Sequence, residues 1–149
     1  MSGLLGGGPN TAAFATTAAA VMVNGNTIFT VSNGPIMVQA LYSVCVTGNG
    51  ATGSTLQYSV TPTIGAGAQT ISAASGSLTN AAAGASVSLI GTALTTAAEL
   101  NANGPNLGMT APMIIPSGTI TMVIGTGSTT GTWKHYIYYQ PMTPNASVA

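Results

Sequence analysis

Very few side chains in this sequence of 149 residues could carry out acid–base or nucleophilic chemistry. The two ionic side chains are Glu99 and Lys134, His135 follows the lysine, and Cys45 is the single cysteine. General acid–base catalysis needs positioned titratable groups, and a Ser–His–Asp triad is impossible without an aspartate. A nucleophilic pair of Cys45 and His135 is compatible with the composition, but no local motif supports it. The sequence therefore predicts a protein that is not an enzyme and has no catalytic residues.

Sites for metals, cofactors and nucleic acids are equally hard to build from these residues. A structural zinc ion takes about four Cys, His or carboxylate ligands. A ring of His135 side chains around a threefold axis is an alternative, although a hydrogen-bonded strand histidine is simpler. Lysine and arginine neutralise phosphates, and this chain has one such residue. The apolar stretch of residues 11–23 is shorter than the ~18–20 residues that span a bilayer. We therefore predict no metal, cofactor, nucleic-acid or membrane partner.

The low charge of the chain sets a condition on its surface. Charged residues make up 1% of the sequence, against about 25% in ordinary globular domains. A domain without net charge has little electrostatic repulsion to oppose association. The mean hydropathy is positive, whereas disordered chains combine low hydropathy with high net charge. These properties indicate a folded protein whose surface is largely covered by copies of itself or by neighbouring proteins.

Alternating apolar and polar residues, interrupted by Gly, Asn and Pro, predict many short β-strands. Asn24-Gly25 lies between two apolar runs and predicts a hairpin turn. A last hairpin is predicted around residues 125–131, and a further strand over 55–64. Residues 36–46 form the longest predicted strand, with one face better suited to the core. That face consists of alternate residues: Ile36, Val38, Ala40, Tyr42, Val44 and Val46.

The predicted fold is all-β with little helix, an antiparallel β-sandwich that is jelly-roll-like. Residues 1–13 are assigned to a flexible, Gly-rich N-terminal arm, and residues 14–149 to a single β-sandwich domain. The predicted core is the apolar face of each alternating segment: Ile36, Val38, Val44, Leu56, Tyr58, Val60, Ile120, Met122, Ile124, Trp133 and Ile137.

Residues 65–104 are rich in Ala, Gly, Ser and Thr and give the least definite pattern. Short strands are predicted at 69–73 and 85–90. Residues 92–100 fit a helical stripe of alanine and leucine, but their threonines are poor helix formers. The sequence is compatible with either a short helix or an irregular segment over these residues.

Four aromatic residues near the C-terminus form a group: Trp133, Tyr136, Tyr138 and Tyr139. Alternation places half of them on the core face of one strand, so we interpret the group as core and subunit-interface packing. The alternative is a platform on which sugar rings stack.

Three segments near the C-terminus resemble small virion proteins of tailed phages. Residues 115–120 read Ile-Pro-Ser-Gly-Thr-Ile, residues 131–136 read Gly-Thr-Trp-Lys-His-Tyr, and residues 139–142 read Tyr-Gln-Pro-Met. Residues 33–36 and 56–63 are similar to the same group, so the resemblance covers most of the chain from residue 14 to 148. It implies a capsid-decoration (cement), head-fibre or minor tail protein that is often trimeric, and it carries no functional site residues.

The functional hypothesis is a non-enzymatic structural protein located in a phage virion, on the capsid or tail surface. As a capsid decoration or cement protein, it would stabilise the shell through self-association and contacts with the major capsid or other virion proteins. The alternative is a tail-fibre or head-fibre module that binds a host-surface receptor or glycan. An ice-binding or surface-layer protein would suit the composition, but no regular Thr-x-Thr repeat is present.

We predict an obligate homo-oligomer, with a trimer favoured, whose assembly depends only weakly on salt. Ser, Thr, Asn and Gln must supply most of the polar contacts of its interfaces, because ion pairs are scarce and screening has little to act on. Sedimentation across a salt series measures both properties. A stable monomer at micromolar concentration would contradict the oligomer, and dissociation by moderate salt would contradict the uncharged interface.

Overall fold

A computed structural model describes residues 11–65 and 67–149, and within them the chain forms β-strands and no helix. The strands, in chain order, are β1 (Ala13–Thr16), β2 (Ala20–Val23), β3 (Thr27–Ser32), β4 (Ile36–Cys45), β5 (Leu56–Pro62), β6 (Gln69–Thr70), β7 (Ser86–Ser88), β8 (Glu99–Asn101), β9 (Met113–Ile115), β10 (Gly118–Ile124), β11 (Ser128–Pro141) and β12 (Ser147–Val148). Residues 1–10 of the predicted arm lie outside the described residues, and β1 begins at Ala13.

The strands form two antiparallel sheets that pack against each other. The larger sheet has the order β1-β11-β4-β7-β8, with β2 also paired to β11 and β9 also paired to β4. The smaller sheet has the order β12-β3-β10-β5-β6. The prediction of an all-β antiparallel sandwich with little helix is confirmed.

The strand pairs are nested, so that early strands pair with late ones. β2 pairs with β11, β3 with β10, β4 with β7, and β5 with β6. Each successive pair along this ladder lies in the other sheet. A long antiparallel ladder rolled up in this way is a jelly roll, in which two sheets of four strands cover one core.

This connectivity corrects the two predicted hairpins. β2 and β3 flank Asn24-Gly25 but lie in different sheets. β10 and β11, on either side of the second predicted turn, also lie in different sheets. A type I′ hairpin turn needs positive φ at both central residues, whereas here Gly25 alone has one, at +83°. Asn24 Oδ1 accepts a hydrogen bond from Ile124 N at 3.0 Å. The turn is therefore a corner, fastened to β10, at which the chain crosses between sheets.

A β-bulge interrupts the pairing of β4 with β11. Tyr138 lies opposite Ala40, but the next residue, Tyr139, lies opposite Val38. Gln39 is left without an opposite residue on β11. Such an extra residue shifts the alternation of side chains by one position, so everything beyond it changes face.

The bulge decides which residues of β4 enter the core. The buried residues of this strand are Ile36, Val38, Leu41, Ser43 and Cys45. The predicted core face was therefore correct as far as Val38 and wrong from residue 40 onward. Val44, which had been predicted in the core, is half-buried on the opposite face.

The other predicted core residues are all buried between the sheets. Trp133 is fully buried and is one of the largest side chains in the core. Large buried residues that the prediction did not include are Met22, Phe29, Leu41, Leu78, Leu89 and Ile115.

Residues 92–100 do not form a helix. Thr96 N donates to the Ala93 carbonyl at 3.0 Å, which closes a single turn, and Ala97 then bridges to Ala73. Glu99 begins β8, which pairs with β7. The threonines make a helix here costly. Backbone hydrogen bonds with Ala73 and pairing with β7 engage the second half of the segment instead.

Replacing Trp133 by alanine should lower the free energy of unfolding by about 3–5 kcal/mol, because it leaves a cavity in the core. Denaturant unfolding followed by circular dichroism measures this change. Leu94→Ala is the matched control, since Leu94 is exposed and its removal should cost less than about 0.5 kcal/mol. Equal stability of the Trp133 variant and wild type would contradict the core assignment.

Candidate functional site

The outward surface of the larger sheet carries four aromatic rings, and we call it the aromatic face: Phe14, Tyr42, Tyr136 and Tyr138. Tyr136 and Tyr138 alternate with buried residues along β11. Phe14 on β1 lies opposite Tyr138, and Tyr42 on β4 lies opposite Tyr136. Tyr42 points outward because it follows the bulge.

The rings of the aromatic face contact one another in a continuous row. Tyr42 and Tyr136 stack with centroids 4.9 Å apart and planes 9° apart. Phe14 is tilted against Tyr138 at 5.0 Å and lies 6.2 Å from Tyr136. Offset and tilted pairs at these distances are favourable beyond the area they bury. Lys134 Nζ lies 5.5 Å from the centroid of Tyr136, within the range of a cation–π contact.

A groove of about 310 Å³ adjoins the aromatic row. β4 and β7 form its floor, Tyr42 stands on one side, and the loop of residues 104–108 forms the far wall. The tip of this wall is Leu107, which is 71% exposed. Apolar groups dominate the lining, so the groove can receive an apolar side chain more readily than a charged ligand.

The polar side chains of the far wall are engaged within the chain itself. Ser86 Oγ donates to the Gly104 carbonyl at 2.7 Å, and Asn101 Nδ2 donates to the Pro105 carbonyl at 2.6 Å. Asn106 Nδ2 donates to the backbone carbonyls of Ser86 and Glu99. These bonds fix the wall to β7 and β8 and leave few polar groups directed into the groove.

One of the candidate residues, His135, belongs to a hydrogen-bonded network inside the sandwich. Ser43 Oγ is hydrogen-bonded with His135 Nδ1 at 2.7 Å and with the Tyr58 hydroxyl at 2.9 Å. Tyr58 also donates to the Val87 carbonyl at 3.2 Å. Burial raises the pKa of Tyr58 and lowers the pKa of His135 from 6.5 to about 4. All three groups are therefore neutral at pH 7 and cross-link the two sheets.

Cys45 does not contribute to this network. Its thiol donates to the Thr47 carbonyl at 3.1 Å, while the partner of His135 is Ser43. Burial raises the pKa of Cys45, which disfavours the nucleophilic thiolate. Its position fits a small buried side chain.

The aromatic group predicted from the sequence is divided between core and surface. Trp133 and Tyr139 are buried, and Tyr136 and Tyr138 lie on the aromatic face. Sequence reasoning missed the other two rings of that face. Tyr42 had been assigned inward because a bulge leaves no mark in the pattern, and Phe14 lies in a short Ala- and Thr-rich strand without a clear period.

Residues 11–65 and 67–149 contain no group of three or more His, Cys, Asp or Glu side chains that could hold a metal ion. None of their secondary structure is a helix long and apolar enough to cross a membrane. No family model matches the chain, and neither does any curated protein or solved structure.

His135 gives the fold a specific pH dependence. Its pKa is about 4 in the folded protein and 6.5 when unperturbed, so between these values the unfolded chain binds a proton that the folded chain does not. The free energy of unfolding should be level between about pH 8 and pH 6.5, fall by about 3 kcal/mol down to pH 4, and level off below it. Denaturant unfolding monitored by the fluorescence of Trp133 measures the profile.

His135→Gln is the control for this profile, because it keeps a hydrogen-bonding side chain beside Ser43 and removes the titration. Its stability should vary much less between pH 6.5 and 4. The comparison is unusually clean since Glu99 is the only side-chain carboxylate. Equal slopes in wild type and variant would contradict the assignment to His135.

Proposed function

We propose that this chain is a non-enzymatic structural protein of a tailed-phage virion, where it decorates and cements the capsid. It acts by packing against copies of itself and against the major capsid or neighbouring virion proteins. In this proposal the protein acts through surface contacts alone, with no catalytic, cofactor or metal step.

The observation that carries this proposal is the aromatic face on an almost uncharged protein. Phe14 is 48% exposed and Tyr138 is 45% exposed. Protein interfaces are enriched in aromatic residues, as this face is, and depleted of charged ones, which make up 1% of this chain. A free domain of this composition lacks the repulsion that keeps proteins apart, so a covered surface suits it better than an open one.

Two further features support a role in a shell. Jelly rolls recur in viral capsid domains and also in lectins, so the fold is compatible with the proposal without selecting it. The candidate nucleophilic pair of Cys45 and His135 is buried. Among the residues that the structure describes, the interior is held by hydrogen bonds rather than ion pairs, which suits a protein whose role is structural.

A fibre module that binds a host-surface glycan is the second candidate, favoured by the stacked pair of Tyr42 and Tyr136. Stacked aromatic rings offer flat faces to the C–H groups of sugars. Sugar recognition also requires polar groups aimed at the hydroxyls. Those of Ser86 and Asn106 beside the groove already have partners within the chain, so the shell role is the better supported.

Copy number in the purified phage particle tests the proposal. A capsid decoration protein should be present at hundreds of copies, in a fixed ratio to the major capsid protein. Quantitative mass spectrometry of particles, with isotope-labelled peptides of both proteins, measures that ratio. A few copies per particle would favour the fibre module, and absence from particles would refute both virion roles.

A further inference from the structure

The two charged side chains of this protein share one face of it. Lys134 on β11 lies opposite Val44, which lies opposite Ser86 and then Asn101 along the same row. Residues directly opposite each other in a sheet point to the same side. This row therefore emerges on the aromatic face, with Lys134 at the β11 end.

Glu99 belongs to the neighbouring row of the same face. It lies opposite Ser88 on β7, and Ser88 lies opposite Tyr42, whose ring belongs to the aromatic row. Glu99 is exposed. The lysine and the glutamate thus project from the same surface, although they are 35 positions apart in sequence (134 − 99).

The two charges are too far apart to neutralise each other within one chain. β11 and β8 are separated by β4 and β7, so three strand spacings place their backbones about 14 Å apart. One side of the face is therefore positive and the other negative, with the groove between them. When a second copy is rotated by 180° to face the first, the positive side of each copy lies against the negative side of the other.

We infer that the aromatic face is a two-fold interface between two copies of this chain, in which Lys134 of each copy pairs with Glu99 of the other. The inference rests on the proposed self-association and names the surface that carries it. A two-fold axis in the plane of the interface, bisecting the line from Lys134 to Glu99, exchanges the two positions. Both ion pairs then form at once, as an isologous contact requires.

The relief of the face fits the same arrangement. The loop wall with Leu107 rises on the Glu99 side, and the rings of Phe14 and Tyr138 lie on the Lys134 side. The two-fold rotation that pairs the charges also exchanges these two sides, so the Leu107 wall of one copy faces the ring-bearing side of the other. An exposed aliphatic tip then meets exposed rings, and both are removed from water.

A two-fold contact constrains the number of copies. It produces a dimer, or it joins larger rings in pairs, so the assembly contains an even number of chains. The trimer expected from the sequence is compatible only if another surface forms it and the aromatic face joins two trimers. A solution species that is a single trimer would overturn the inference.

Charge reversal at the two positions tests the pairing. Lys134→Glu places two glutamates opposite each other at both ends of the interface, and Glu99→Lys does the same with lysines. Each single variant should weaken association by at least about tenfold, since like charges replace a desolvated pair. The double variant restores opposite charges and should recover the wild-type association constant to within a few-fold. Sedimentation equilibrium of the full chain measures all four proteins.

One control variant separates this pairing from a general effect of added charge, and one further variant tests the apolar part of the interface. Thr30→Glu adds a charge at an exposed position of β3 in the smaller sheet and should leave association unchanged. Leu107→Asn removes the aliphatic tip without changing charge and should weaken association. Circular dichroism establishes that each variant keeps the β-sandwich.

The outcomes distinguish the surface from the proposed function. A monomeric wild-type protein at tens of micromolar would overturn self-association itself, and specific binding of neutral oligosaccharides by that monomer would make a glycan the occupant. An oligomeric wild type with unaffected single variants would overturn this surface alone. Weakened single variants without rescue in the double variant would overturn the Lys134–Glu99 pairing.

Discussion

The bulge at Gln39 sets the two faces of the larger sheet, and both notable features of the protein depend on it. Side chains alternate strictly along a strand, so one extra residue exchanges inside and outside for everything beyond it. With the bulge, Ser43 reaches His135 in the interior and Tyr42 stacks on Tyr136 outside. A regular β4 would place the tyrosine ring in the core and the serine hydroxyl in solvent.

Hydrogen bonds between neutral polar groups hold the loops of this fold to its strands, a role that ion pairs share in other proteins. Asn49 is buried, and it accepts a hydrogen bond from Gly131 N while donating to the Leu78 carbonyl. Thr129 Oγ1 accepts from Met22 N at 3.0 Å. Burying an amide or hydroxyl costs far less than burying a charge, provided that it is hydrogen-bonded. The loops at this end of the sandwich are therefore held to the strands by directional bonds that salt does not screen.

The sequence predicted the parts of the fold in which alternation runs unbroken. Leu56, Tyr58 and Val60, and likewise Ile120, Met122 and Ile124, are buried as expected, because each strand is regular and faces the other sheet. The bulge could not be predicted, since the residue types around Gln39 do not differ from those of a regular strand. The corner at Asn24-Gly25 was read as a hairpin because a turn sequence specifies local φ and ψ and says nothing about which sheet the next strand joins.

The candidate site was predictable only in part, for the same physical reason. Tyr136 and Tyr138 follow the regular period of β11, so their outward direction could be read from the pattern. Phe14 and Tyr42 belong to the face through pairing with distant residues, and pairing is a property of the fold. Likewise, the position of Lys134 and Glu99 on the same face can be seen only once β11, β4, β7 and β8 are placed side by side.

The nested order of the strands has a consequence for how the chain folds. Met22 and Thr129, which join at the outer end of the ladder, are separated by 107 positions. Contacts of such long range require a large loss of chain entropy before they give any return, so folding is slow. β4 is synthesised long before β11 covers its edge, and an uncovered apolar edge without charges is prone to pair with other chains. The scarcity of charges thus leaves the nascent chain with little electrostatic repulsion against pairing with other chains, so correct folding depends on β11 pairing with β4 before a neighbouring molecule does.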